Sequence, residues 1–156
     1  MKLFQALKLK NKLVGEIQNK KGLINQKNSV TKGEVQYYNS KTLFEELKQF
    51  IRDLNNLKFA INLANSGIQQ SIYELAEAKT MLNFVKSLNT NEGKIRNRFS
   101  SAEEADEYVV SINELDKNSL VNEYQILVDT LQDKIDVYNH TTACDIDETQ
   151  FLINKK

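Results

Sequence analysis

The chain has 156 residues, with 21 basic and 21 acidic side chains, no proline, five glycines and one cysteine. This length allows one domain to bury a core without cross-links, and a lone cysteine cannot form an internal disulfide, so we expect a single helical domain over residues 1–156. Zero net charge weighs against a nucleic-acid-binding protein, because such proteins carry a basic excess. Proline and glycine destabilise helix interiors, so their scarcity predicts long helices.

The charges are unevenly distributed along the chain. Residues 1–33 carry eight lysines against Glu16, a net charge of +7, whereas residues 101–150 carry thirteen acids against Lys117 and Lys134, a net charge of −11. Opposite charges of this size attract, within one molecule or between two. We therefore expect a homo-oligomer in which a basic first helix lies beside an acidic last helix.

The first predicted helix runs from about Lys2 to Asn28. Its apolar face is predicted to comprise Leu3, Leu7, Val14, Ile17 and Ile24. Lys10 and Lys21 interrupt that face. The opening residues lack the continuous apolar run of a signal peptide, and no segment approaches the ~20 apolar residues that span a bilayer, so we expect a cytoplasmic protein.

The second predicted helix has the most regular pattern in the chain. Apolar residues recur in alternating steps of four and three, as in a coiled-coil seam, at Leu43, Leu47, Phe50, Leu54, Leu57, Ile61 and Ala64. Phe44 and Ile51 are predicted to widen this seam. Ser40 is the expected N-cap, residues 65–67 are the expected end, and the preceding Tyr37–Tyr38 pair is expected at the edge of the core.

Two further helices are predicted. The third has an apolar stripe at Ile68, Ile72, Leu75, Leu82 and Val85, and Ala76 and Ala78 are expected to allow close packing. The short connection from the second helix predicts an antiparallel hairpin. The fourth is expected to begin near Asp116 or Asn118 and to end between Asn139 and Thr142. Its seam is predicted at Val121, Tyr124, Val128, Leu131, Ile135 and Tyr138.

A β excursion at about residues 94–112 is predicted between the third and fourth helices. The segments "KIRNRF" and "EYVVSI" alternate or are β-branched, as in strands, and Ser101 and Glu104 between them have capping-box spacing. Lys94, Arg96 and Arg98 would share one side of a strand, where they could contact phosphate. The alternative is cross-strand pairing with the acidic segment that follows, and the neutral chain favours it.

The candidate site in this sequence is "NHTTACDIDE", which contains the only histidine and the only cysteine. His140 and Cys144 could bind a metal, but a structural zinc site needs four ligands and a catalytic site needs three. A nucleophilic Cys–His pair would need an orienting group and an oxyanion donor, which the sequence does not identify. We therefore expect no metal, cofactor or catalytic residue, and expect both side chains to pack at the end of the last helix.

Several segments together resemble a group of small bacterial helical proteins known as septicolysin-like. The resemblance is carried by Ile61, Asn62 and Asn65 before an apolar helix, by Asn139, Thr141 and Thr142 at the end of another, and by the opening "MKLFQALKLKNKL". It departs from the group at Gln5, where glutamate is more common, and at His140, which replaces an aromatic residue. The family name implies a cytolysin.

These observations predict a mainly α fold, either an antiparallel four-helix bundle or helical hairpins, with a short two-stranded β-ribbon between helices three and four. The function we expect is a non-catalytic helical interaction or assembly protein with a homo-oligomeric or other protein partner. The alternative is a membrane-active, cytolysin-like protein that acts through its basic N-terminal helix. Nucleic acid is not an expected partner.

Overall fold

A computed structural model of the chain describes residues 1–33, 39–95, 106–147, 149 and 151–154. The described residues form four α-helices and a two-stranded antiparallel ribbon, as the sequence predicts. The helices are α1 (Leu3–Lys27), α2 (Ser40–Asn65), α3 (Gln69–Ser87) and α4 (Glu114–Thr141), the strands are β1 (Gly93–Ile95) and β2 (Asp106–Tyr108), and a 3₁₀ turn follows at Leu152–Asn154. The predicted positions of Tyr37, Tyr38, Arg96, Arg98, Ser101 and Glu104 lie outside the described residues.

The chain divides into two compact units. The first comprises Met1–Ile68 and Asp136–Lys156, and the second comprises Gln69–Ile135. In the first unit α1 and α2 pack together as an antiparallel hairpin, because Lys20 near the end of α1 meets Glu46 near the start of α2. The core of this unit contains Leu3, Ala6, Leu9, Leu13, Ile17, Leu47, Phe50, Leu54, Leu57, Ala60, Ile61, Cys144 and Phe151.

The buried face of α1 differs from the prediction. The buried positions are Leu3, Ala6, Leu9, Leu13, Ile17 and Lys20. Val14 is 39% exposed and Leu7 is partly buried, so the face is rotated by about one residue from the predicted one. The sequence is compatible with either face, because Ala6 and Leu13 lie on one and Leu7 and Val14 on the other. Packing against α2 determines which face is buried. The cation inside the face is Lys20, whereas Lys10 is half-buried and Lys21 is exposed.

The predicted inner seam of α2 is confirmed, with small differences at its edges. Leu47, Phe50, Leu54, Leu57 and Ile61 are buried. The N-cap is Asn39 rather than Ser40, since the Asn39 side chain accepts hydrogen bonds from the backbone N–H groups of residues 41 and 42. The side-chain oxygen of Asn39 accepts from two backbone N–H groups in the first turn, which have no partner within the helix. This is the role that the sequence analysis assigned to the hydroxyl of Ser40.

The described residues of the C-terminal segment 142–154, which include the 3₁₀ turn, complete the first core. Cys144 and Phe151 are buried in it, and Ile146, Leu152 and Ile153 pack against it. This segment has no helical or alternating pattern, so its role was not predicted. Two packed helices leave one side of their apolar interface open, and this third piece of chain covers it.

The second unit contains α3, the ribbon and most of α4. The two helices are antiparallel, because Lys117 near the start of α4 donates to the carbonyl of Leu88 at the end of α3, while Lys79 donates to Gln132. Their buried faces comprise Ser71, Leu75, Ala78, Leu82 and Val85 on α3, and Val128, Leu131 and Ile135 on α4. Ala76, predicted to allow close packing, is instead exposed.

The fourth helix begins before the predicted start. Asn113 and Asp116 exchange side-chain and backbone hydrogen bonds of 2.9 and 3.3 Å, which is a reciprocal capping arrangement. Asp116 is therefore the third residue of the helix rather than its cap. The helix ends at Thr141, inside the predicted interval.

Candidate functional site

The structure places His140 in the last turn of α4, with its side chain at the surface. Its imidazole ring lies against the ring of Phe4, with centroids 4.4 Å apart and planes inclined by 32°. The ammonium of Lys8 lies 5.4 Å from the same Phe4 ring. The histidine therefore takes part in an aromatic contact between the start of α1 and the end of α4.

A short antiparallel bridge joins residues 1–3 to residues 142–144. The backbone N–H of Cys144 donates to the carbonyl of Met1 over 2.9 Å, and that of Leu3 donates to Thr142 over 2.9 Å. The Lys2 ammonium donates to the Thr141 carbonyl over 2.8 Å. A cation at the C-terminal end of a helix satisfies a free carbonyl and interacts favourably with the helix dipole. These contacts hold the end of α4 against the start of α1.

Cys144 lies in the core, with 1% of its surface exposed. Burial raises the pKa of its thiol, partly opposed by the nearby N-terminal ammonium. A thiolate is the form that attacks electrophiles or binds metals, and this environment disfavours it. Among the residues that the structure describes, no three His, Cys, Asp or Glu side chains are grouped so as to hold a metal. Cys144 therefore acts as a small apolar core residue.

Two buried charged side chains were missed by sequence reasoning. The carboxylate of Asp53 accepts a hydrogen bond of 2.7 Å from the Gln49 amide and one of 3.0 Å from the backbone N–H of Leu152. It thereby caps the C-terminal 3₁₀ turn and fixes it to α2. Lys20 pairs with Glu46, and its ammonium lies 5.2 Å from the centre of the Phe50 ring. Both charged residues stand three or four positions from buried apolar residues of their own helices. This spacing was the sequence signal from which their burial could have been predicted.

The ribbon supports the cross-strand interpretation of its basic residues. Lys94 stands directly opposite Glu107 in the register of β1 and β2. Opposite charges at such positions are mildly stabilising. Of the three basic residues predicted to share one side of the strand, Lys94 belongs to the described part, and the register pairs it with an acidic residue.

A second apolar stripe runs along α2, away from the core. We call it the outer stripe; it contains Phe44, Ile51, Phe59 and Leu63, which are 49%, 39%, 65% and 58% exposed. Phe44 and Ile51 were predicted to widen the inner seam. Both stand three or four residues from buried Leu47 and therefore border the seam, but the structure leaves them exposed. Sequence periodicity alone detects both stripes without showing which one a partner covers.

Two grooves lie at the opposite ends of α2, and both border the outer stripe. The groove at the start of α2 has a volume of about 450 Å³ and is lined by Phe44 and Leu47 with Lys21, Ile24, Asn25 and Asn28 of α1. The groove at the end of α2 has a volume of about 470 Å³. It is lined by Phe59, Leu63 and the small residues Ala60 and Ala64 of α2, together with Asp145 and Ile146 of the C-terminal segment. Both grooves can accept an apolar side chain, with a basic rim at one end and an acidic rim at the other.

None of the helices in the described ranges is both long enough and apolar enough to cross a membrane. Comparisons with protein-family models, with curated proteins and with solved structures found no match to the chain. The resemblance to the septicolysin-like group therefore stays a prediction.

Proposed function

We propose that this protein is a non-catalytic helical interaction protein that assembles with copies of itself. The observation that carries the proposal is the outer stripe of α2, where Phe59 and Leu63 remain more than half exposed although their helix contributes much of the first core. Large apolar side chains that line up on one helix face, beside a groove, are typical of a protein-binding surface.

The charge distribution adds support for self-association. Between Leu3 and Lys27, α1 carries six lysines and one acid, and between Glu114 and Thr141, α4 carries six acids and two lysines. Lys8 and Lys12 on α1 are exposed, as are Asp129 and Asp133 on α4. Complementary patches speed the encounter of two copies and select their orientation, while apolar contacts supply most of the affinity. The basic α1 of one copy is thus suited to approach the acidic α4 of another.

Sedimentation velocity over a range of protein concentration, at low and at high salt, tests the proposal. We expect the weight-average mass to rise with concentration, and to rise less at high salt because salt screens the α1–α4 attraction. A chain that remains at 18.0 kDa under every condition contradicts the proposal.

The membrane-active alternative requires a rearrangement of the first unit. The apolar face of α1 contains Leu3, Ala6, Leu9, Leu13 and Ile17, and all of these are buried. An amphipathic helix binds a membrane surface through such a face, so α1 would have to leave α2 first. Dye release from anionic and neutral vesicles tests this alternative. Leakage that falls when Lys8 and Lys12 are changed to glutamine would support it, and intact vesicles at micromolar protein would remove it.

A further inference from the structure

We draw no further inference here: the strongest candidate, the outer stripe of α2 with the groove between its end and the C-terminal segment, is the surface already used for the proposed function, and nothing in the described residues shows what covers it.

Discussion

The two apolar faces of α2 differ in what the chain itself puts against them. The inner seam is covered by α1 and by residues 142–154, so that Phe50 and Leu57 have no exposed surface at all. The outer stripe holds residues of the same chemical types, yet Phe59 remains 65% exposed. The pattern of apolar residues makes both faces suitable for packing, and in the part of the chain that the structure describes only the inner face is covered.

The difference shows how a third segment closes a two-helix interface. The bridge between residues 1–3 and 142–144, and the bond from Leu152 to Asp53, hold the C-terminal segment over the α1–α2 hairpin. Tyr138 adds to this closure, since its hydroxyl donates to the carbonyl of Ala64 in the last turn of α2 over 2.9 Å. In the described ranges no comparable segment lies on the outer stripe, which is the observation behind the proposed self-association.

The largest predicted effect is the contrast between Phe50→Ala and Phe59→Ala. Truncating Phe50 removes a fully buried ring and leaves a cavity, so we expect the free energy of unfolding to fall by about 3–5 kcal/mol. Truncating Phe59 should change it by no more than about 0.5 kcal/mol in the monomer, since the ring is mostly in water. Urea unfolding at dilute protein, where association does not contribute, measures both values. Equal losses for the two variants would contradict the assignment of inner and outer faces.

An intermediate effect is expected at Asp53, for which the chain offers a matched control. Gln49 donates to Asp53 in the core, and Gln125 donates to Asp129 over the same four-residue spacing at the surface. Asp53→Ala leaves the partly buried N–H of Leu152 without its acceptor, so we expect a loss of about 1–3 kcal/mol. Asp129→Ala should cost less than about 0.5 kcal/mol, because water replaces the exposed bond.

The same pair of variants can be compared by limited proteolysis. Asp53→Ala should speed cleavage after residue 142 by loosening the C-terminal segment, whereas Asp129→Ala should not. A C-terminal segment that is cleaved at the same rate in both variants would show that Asp53 does not hold it.

The smallest predicted effects have opposite signs and concern two glycines. A Cβ on Gly67 would stand 2.6 Å from the hydroxyl oxygen of Tyr138, so Gly67→Ala must displace the tyrosine from Ala64 and should cost about 1 kcal/mol. A Cβ on Gly15 would meet nothing within 4 Å, so Gly15→Ala should stabilise α1 by about 0.5–1 kcal/mol through helix propensity. Thermal unfolding should show a lower melting temperature for Gly67→Ala and a higher one for Gly15→Ala. Destabilisation by Gly15→Ala would mean that another element approaches that face.

The sequence predicted the helices well because their signals are local. Steps of three and four residues identified the inner seam of α2 and the seam of α4, and the absence of proline allowed uninterrupted helices. The boundaries moved by a few residues where an asparagine side chain, at Asn39 and at Asn113, provided the cap. These caps compete with neighbouring serines and aspartates that look equally suitable in the sequence.

The errors occurred where long-range packing decides. The face of α1 could not be chosen between two overlapping apolar sets until α2 was in place. Phe44 and Ile51 have the spacing of core residues, and periodicity does not distinguish a covered stripe from an open one. The burial of Phe151 depends on a segment with no regular structure, and the role of Asp53 depends on that segment in turn. Phe44 and Ile51 were thus expected in the core but are exposed, and the sequence analysis made no prediction for Phe59 and Leu63.

The mass of the native chain in solution, compared over the same concentrations with that of Phe59→Lys, which places a charge on the outer stripe, tests the central claim most directly. We predict that the native mass rises above 18.0 kDa as the protein concentration increases, while the variant remains at that value. A native chain that stays at the mass of one copy at every concentration would contradict the account.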